Sequence, residues 1–134
     1  GISKKELGID IQKIINFKHE EHLKRFFTVC EIKEVNHSVS KDERYSEIWA
    51  IKESYLKMLG KGLMKPLRSI SIERKKNYIR ISDNPYIDNK ITVKTIFNHY
   101  KLAICTKEKK EKIQLIYLDI KDLTKKKLQN IKFN

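Results

Sequence analysis

The sequence predicts an α+β domain in which two helices pack on a mainly antiparallel sheet. Three observations support this prediction. A short strand-like run lies at 7–11, apolar residues recur with helical spacing over 20–35 and 41–59, and beyond Pro66 the apolar spacing switches to every second residue. Helices followed by a run of strands are typical of a sheet that is covered on one face.

The first strand is predicted at 7–11 (LGIDI), an apolar run interrupted by the acid Asp10. A helix over 20–35 follows, because its apolar residues repeat at i, i+3, i+4 and i+7. That face is made of Leu23, Phe26, Phe27 and Cys30.

The second helix has clear start and stop signals. Ser40 followed by Glu43 fits a capping box, in which each side chain satisfies the other residue's backbone amide. The helix is expected to run to about Leu59, and Gly60 and Gly62 can supply the left-handed stop.

The rest of the chain is predicted to form strands rich in Ile, Val, Thr and Tyr. They lie at 69–74, 78–82, 91–97, 100–106 and 113–120. We assign residues 1–120 to one domain and residues 121–134 to a basic C-terminal tail.

Composition narrows the classes of function. The chain has 134 residues and a formal net charge of +13, which favours polyanions, phosphorylated cofactors or acidic proteins as partners. No apolar run approaches the roughly 20 residues that span a bilayer, so we expect no membrane association. We also expect a cytoplasmic location, because the two cysteines make no disulfide framework and fit a reducing compartment. Cys30 and Cys105 both lie in apolar surroundings and are predicted to be buried thiols.

One lysine of the second helix is misplaced for a simple amphipathic pattern. On a helical projection Lys52 lies between Leu59 and Leu56, inside the apolar half, whereas Glu53 and Lys57 lie at its edge, four residues apart. Two interpretations stay open: a surface pair beside a lysine that extends to solvent, or a metal and phosphate site at the helix edge.

The second interpretation needs another acid, and Asp10 is a candidate. Strand alternation places it on the opposite face from Ile9 and Ile11. A carboxylate within a short apolar strand is costly unless it is paired, hydrogen-bonded or bound to a metal.

The two motifs together resemble the 4′-phosphopantetheinyl transferase family. Its signature is a G-[IV]-D segment followed by W/F-x-x-K-E-[AS]-[FY]-x-K-x-x-G-x-G-L, and here it reads GIDI at 8–11 and WAIKESYLKMLGKGL at 49–63. KRFF at 24–27, Glu31 and HYKLAIC at 99–105 extend the resemblance, specifically to the C-terminal half of the type that activates surfactin synthetase.

The resemblance implies a holo-carrier-protein synthase. Such an enzyme transfers 4′-phosphopantetheine from coenzyme A to a serine of an acyl or peptidyl carrier protein and releases 3′,5′-ADP. It serves fatty acid, nonribosomal peptide or polyketide biosynthesis. The implied cofactor is Mg²⁺ or Mn²⁺, with coenzyme A as substrate and an apo carrier protein as partner.

The family pattern also implies which residues hold the metal. The acids of the two motifs correspond to Asp10 and Glu53. Gln12 stands where the family often has the second acid of D-x-E, and it can offer a neutral carbonyl oxygen instead. Whether Gln12 takes part in metal binding stays open.

Basic residues are implied for the phosphates. Lys57 matches the family lysine near the phosphates, and Lys52 is expected to reach the same region. Lys61 is expected to meet the cofactor or the carrier protein. Glu53, directly or through a water, is the candidate base for the serine hydroxyl.

Members of the type that activates peptide synthetases have two similar halves with coenzyme A between them, and this chain resembles only the second. We therefore expect a missing N-terminal half, or a second copy of the chain, as a partner. One alternative stays open: a basic binding or regulatory module without catalysis, such as a nucleic-acid binder using Tyr78 with Arg80 and Tyr100 with Lys101.

Overall fold

The computed structural model describes residues 6–16, 20–60, 64–84 and 86–107. The elements within them are β1 (Leu7–Lys13), α1 (Glu20–Phe26), α2 (Val29–Asn36), α3 (Lys41–Met58), β2 (Ile72–Lys75), β3 (Tyr78–Ile81), β4 (Lys90–Ile96) and β5 (Tyr100–Thr106). The predicted α+β class is confirmed. The predicted strand at 113–120, the tail at 121–134, Lys61 and Gly62 lie outside the described residues.

The strands form a sheet in the order β1-β5-β4-β3-β2, and every neighbouring pair is antiparallel. β1 pairs with β5 along its whole length, from Leu7 opposite Thr106 to Lys13 opposite Tyr100. The first and last described strands are therefore neighbours. In the described part of the chain, none of the helices combines the length and the apolar character needed to cross a membrane.

The predicted helix over 20–35 is wrong in one respect, because it is two helices with a break after Phe26. Thr28 starts the second of them. Its hydroxyl accepts a hydrogen bond from the Glu31 amide at 3.3 Å, and the Glu31 carboxylate accepts one from the Thr28 amide at 2.7 Å. This reciprocal capping box stabilises a new helix start at a position where the apolar spacing alone suggested continuity.

Helix α3 begins and ends near the predicted residues. The Ser40 hydroxyl accepts from the Glu43 amide at 3.3 Å, but the Glu43 carboxylate accepts from Lys101 Nζ at 2.8 Å, so half of the predicted capping box forms. At the other end, Gly60 has φ of 65°, the left-handed conformation that glycine adopts without strain.

Helix α3 lies at the centre of the domain, and most of its residues are buried. One cluster packs it on the sheet, with Ile51 and Tyr55 against Ile81 and Ala103. A second packs it on α1 and α2, and its buried members are Leu23, Phe27, Val35, Tyr45 and Ile48. Because both sides of α3 are covered by other elements, the elements around it determine its rotation about its own axis.

The two cysteines differ in exposure. Cys105 is buried, as predicted, and burial raises the pKa of its thiol to about 12. Cys30 is exposed, and the prediction of a buried thiol there is wrong. It belongs to the first turn of α2 and not to the continuous helix on which that prediction relied.

We expect a thiol reagent to modify the native chain rapidly at Cys30 and to reach Cys105 only on unfolding, because the thiolate is the reactive form. Labelling with iodoacetamide followed by mass spectrometry measures this. Cys30→Ser should remove the fast phase. Rapid modification of both thiols in the folded protein would contradict the burial of Cys105.

Candidate active site where β1 meets α3

A glycine allows β1 to approach α3 at backbone contact. A Cβ atom added to Gly8 would lie 1.8 Å from the carbonyl oxygen of Ser54 and 2.4 Å from the amide nitrogen of Met58. Asp10 stands two residues further on, on the same face of the strand. The close approach at Gly8 therefore brings the Asp10 side chain against the same helix.

The structure brings three predicted site residues together here. Lys57 Nζ lies 2.7 Å from Asp10 Oδ1, with 49% of the lysine side chain and 13% of the aspartate side chain exposed. Glu53 precedes Lys57 by one helical turn. Burial raises the pKa of Glu53, the nearby charge of Asp10 raises it further, and Lys57 partly offsets the effect. Two carboxylates and one ammonium group thus share a partly exposed edge.

This donor set fits a hard divalent cation. Mg²⁺ is usually held by one or two carboxylates together with waters and substrate phosphates. Among the described residues no group of three His, Cys, Asp or Glu side chains converges. The role of Asp10 and Glu53 as acidic metal donors stays a prediction. Gln12 lies on the same strand face, and its amide nitrogen donates to the Lys13 carbonyl at 3.1 Å. Its part in metal binding stays a prediction.

Lys52 lies among different partners from those predicted. Its Nζ is 2.6 Å from Glu31 Oε2, and both side chains are buried, at 0% and 2% exposure. It also donates to the carbonyl oxygens of Phe26 at 3.1 Å and Leu67 at 3.0 Å. These three acceptors match its three protons. The structure thus makes Lys52 half of a buried ion pair, and its contact with phosphate stays a prediction.

Glu31 is a site-related residue whose pairing the sequence did not reveal. Besides Lys52 it accepts from the amides of Thr28 at 2.7 Å and Ile72 at 3.2 Å. Burial lowers the pKa of Lys52, and the hydrogen bond and charge of Glu31 act in the opposite direction. The available signal was the S/T-x-x-E pattern at 28–31 (TVCE), which indicates a capping box but not an ion pair.

The C-terminal end of α3 has a separate polar cluster. The Tyr55 hydroxyl donates to Asp83 Oδ2 at 3.3 Å, and Lys65 forms an ion pair with the same carboxylate. Burial, with the charge of Asp83 as a further cause, raises the pKa of Tyr55. This cluster ties the segment after α3 to the connection between β3 and β4.

The pairs considered for nucleic-acid binding are occupied by acids. The Arg80 guanidinium lies 5.9 Å from the Tyr78 ring centroid and donates to Glu73 at 2.6 Å. Lys101 is buried and pairs with Glu43 at 2.8 Å. Each of these two cations is neutralised by a carboxylate, so neither offers a free positive charge beside an aromatic ring.

Replacing Lys57 by methionine is expected to tighten Mn²⁺ binding to the chain a few-fold, because a competing cation is removed from Asp10. It should also lower any transfer activity by roughly 10²-fold, because the ammonium predicted to lie near the phosphates is lost. Electron paramagnetic resonance of unbound Mn²⁺ measures the affinity. Weaker Mn²⁺ binding would contradict this, since it would mean that Lys57 holds Asp10 in place.

Comparisons with known proteins agree with the motifs. A family model described as the 4′-phosphopantetheinyl transferase superfamily matches residues 6–105. A 4′-phosphopantetheinyl transferase of Bacillus subtilis is 31% identical over 108 residues, which cover 78% of this chain and 48% of that protein. The 4′-phosphopantetheinyl transferase gsp of Aneurinibacillus migulanus is 33% identical over 114 residues, covering 78% of this chain and 45% of that protein. The chain thus spans about half the length of the curated relatives that it matches.

The fold has a counterpart among solved structures. A holo-(acyl-carrier-protein) synthase from Bacillus anthracis, solved in complex with CoA (3′,5′-ADP), superposes with a TM-score of 0.66 at 17% identity. The superposition covers 75% of this chain and 92% of that one. At this identity the likeness establishes the shared fold.

Proposed function

Because this chain belongs to the 4′-phosphopantetheinyl transferase superfamily, we propose that it forms the catalytic part of an enzyme that transfers 4′-phosphopantetheine from coenzyme A to a serine of an acyl or peptidyl carrier protein. One observation carries the proposal. Asp10 and Lys57, 47 residues apart in sequence, meet beside Glu53 at a partly exposed edge. The cluster combines carboxylates for a cation with an ammonium for phosphate, as phosphoryl transfer requires.

Asp10 and Glu53 are the residues that would hold Mg²⁺ or Mn²⁺, with Gln12 as a third, neutral oxygen donor. When bound, the ion supplies positive charge that offsets the charge of the pyrophosphate. The mutual repulsion of the two carboxylates supports this assignment. The charge of Asp10 disfavours ionised Glu53 in the chain alone, and a cation between them would relieve that cost.

The reaction itself is a substitution at phosphorus. The serine oxygen of the carrier attacks the β-phosphorus of coenzyme A and forms the new P–O bond. The bond from that phosphorus to the bridging oxygen breaks, and 3′,5′-ADP leaves. The serine proton passes to Glu53, directly or through a water. In the chain alone, burial and then the charge of Asp10 raise the pKa of Glu53, which makes its carboxylate a stronger proton acceptor than an exposed glutamate.

Lys57 neutralises the leaving group. Its side chain is 49% exposed, so its ammonium can turn from Asp10 toward the phosphate oxygens without leaving a buried position. Charge at this point is most valuable when the bridging oxygen that departs with the 5′-phosphate of 3′,5′-ADP becomes negative. Lys61, which follows α3 in sequence, is proposed to contact the cofactor or the carrier.

We propose that a second protein surface is needed to complete the binding cleft. The chain spans about half the length of the curated relatives that it matches, and the cluster lies at β1, one of the two edge strands of the described sheet. We propose that an N-terminal half, or a second copy of this chain, completes the binding cleft for coenzyme A.

The test is a transfer assay read by intact-protein mass spectrometry. The chain is incubated with coenzyme A, Mg²⁺ and apo carrier proteins of the acyl and peptidyl kind, and each carrier is examined for addition of phosphopantetheine. Glu53→Gln is the matched inactive control. A version of the chain extended at its N-terminus runs in parallel, and analytical ultracentrifugation tests for self-association.

Modification by the chain alone supports self-association or independent activity. Modification by the extended version alone supports the missing half. If neither version modifies any carrier or binds coenzyme A, and the chain instead binds nucleic acid in a salt-sensitive way, the transferase proposal is wrong and the basic-module alternative holds.

A further inference from the structure

We infer that Glu31 and Lys52 are positioning residues. Their buried ion pair fixes the rotation of α3 and thereby the position of the Glu53 carboxylate relative to Asp10. The inference rests on the proposed function, because its readout is the cation that Asp10 and Glu53 would hold.

The pair joins α3 to three other parts of the chain. Lys52 donates to the Glu31 carboxylate of α2, to the Phe26 carbonyl at the end of α1, and to the Leu67 carbonyl of the short 3₁₀ turn at Leu67–Ser69. Because the Lys52 and Glu31 side chains are buried, water cannot readily replace a bond that breaks between them. Rotation of α3 would break several bonds at once.

Glu31 is itself held by backbone. Its carboxylate accepts from the Thr28 amide at the start of α2 and from the Ile72 amide at the start of β2. The Phe27 ring lies 5.3 Å from Lys52 Nζ. Both partners of the ion pair are therefore hydrogen-bonded to main chain outside α3. The pair thus restrains rotation of the helix.

Fixing the rotation of α3 at Lys52 also fixes where the Glu53 side chain lies, because the two residues are neighbours on the helix. Consecutive helix residues project about 100° apart, so Glu53 has a fixed angular relation to Lys52. With side chains, a helix has a radius of roughly 5–6 Å, and a rotation of about 10° moves a side-chain end by about 1 Å. Functional side chains must be held within roughly 0.5 Å. The Gly8 contact with Ser54 and Met58 holds α3 against β1, and the ion pair holds it against α1 and α2.

Direct phosphate binding by Lys52 makes the opposite prediction for metal affinity. If Lys52 were simply a cation near the site, its removal would favour binding of a divalent cation. If it positions Glu53, its removal weakens that binding even without coenzyme A. The sign of the change in Mn²⁺ affinity therefore separates the two roles.

The experiment measures Mn²⁺ binding to the chain without coenzyme A, by electron paramagnetic resonance, for Lys52→Met, Glu31→Gln and the double variant. We expect each single variant to bind at least about tenfold more weakly, as is usual when the support of a metal ligand is lost. The double variant should bind no more weakly than the weaker single, because the two residues act as one unit. Circular dichroism confirms folding.

Lys101→Met is the matched control. Lys101 is another buried lysine paired with a carboxylate, 7% exposed and 2.8 Å from Glu43. Its partner lies in the first turn of α3, about 15 Å along the axis from Glu53. This variant should lose stability but keep the parent affinity for Mn²⁺.

Mn²⁺ binding by folded Lys52→Met that equals or exceeds that of the parent would overturn the inference. If Lys52→Met does not fold, the double variant decides, since a neutral pair of similar shape avoids an unpaired buried charge. In the transfer assay, positioning predicts a fall in kcat with the KM for coenzyme A within about threefold. A raised KM with unchanged Mn²⁺ affinity would assign Lys52 to phosphate and overturn the inference. Failure of the parent chain to bind Mn²⁺ would instead refute the metal site of the proposed function.

Discussion

Replacing Glu53 by glutamine is expected to lower transfer activity by at least about 10³-fold and to leave the folded chain as stable as the parent, or slightly more stable. The amide cannot accept the serine proton and is a poor ligand for a hard cation, so two contributions to the reaction are lost together. The shape of the side chain is kept, which separates the chemical effect from packing.

The stability side of this prediction follows from the raised pKa of Glu53, which is due first to burial and then to Asp10. A carboxyl group with a raised pKa binds its proton more tightly in the folded chain than in the unfolded chain. Its ionisation therefore costs stability as the pH rises from the unfolded pKa through the folded pKa, and the full cost applies above that window. Glutamine removes the cost.

Steady-state transfer rates and urea unfolding, each measured at acid and neutral pH, test the two sides. Asp10→Asn is the matched variant, because it removes the other carboxylate of the site. Glu53→Gln should flatten part of the pH dependence of stability. Activity of Glu53→Gln within about tenfold of the parent would remove Glu53 from the catalytic groups.

Replacing Gly8 by alanine is expected to destabilise the chain by at least about 3 kcal/mol and to abolish Mn²⁺ binding. The new Cβ would lie 1.8 Å from the Ser54 carbonyl oxygen and 2.4 Å from the Met58 amide nitrogen. These are backbone atoms of a buried helix and cannot move aside as a flexible side chain can. β1 must shift away from α3, which costs packing energy and separates Asp10 from Glu53.

Gly60→Ala is the matched control for this substitution. Gly60 has φ of 65°, and apart from its chain neighbours no atom of the described residues would lie within 4 Å of a Cβ there. Alanine at that position carries only the left-handed backbone cost, roughly 1–2 kcal/mol. Urea unfolding and Mn²⁺ binding compare the two variants. Equal effects of Gly8→Ala and Gly60→Ala would show that the close approach of β1 is not what the glycine provides.

The sequence was sufficient to predict the fold class, and the resemblance of its two motifs to the family assigned Asp10 and Glu53 to one metal site with Lys57 near the phosphates. The ion pair between Asp10 and Lys57 was not predicted. Strand alternation placed Asp10 on the face opposite Ile9 and Ile11, and the four-residue spacing in the helix placed Glu53 beside Lys57. Local periodicity and two motifs contain that information.

The partner of Lys52 could not be predicted in the same way. A helical projection shows that a side chain points into an apolar half, but not which element covers that half. Here the cover depends on the break between α1 and α2, because only a helix that starts at Thr28 carries Glu31 into contact with Lys52. Cys30 was placed wrongly for the same reason, since its exposure follows from the break and not from local apolar spacing.

The position of β1 also determines the order in which the domain can be assembled. β1 pairs with β5, so that Gly8 lies opposite Cys105, and contacts of such long sequence separation form slowly because a large loop must close first. On the ribosome both motifs emerge long before the strand that holds the first of them. A nascent chain that ends before β5 therefore carries both motifs of the candidate site but lacks the strand with which β1 pairs. In that chain, only the contact of β1 with α3 is available to hold Asp10 beside the helix.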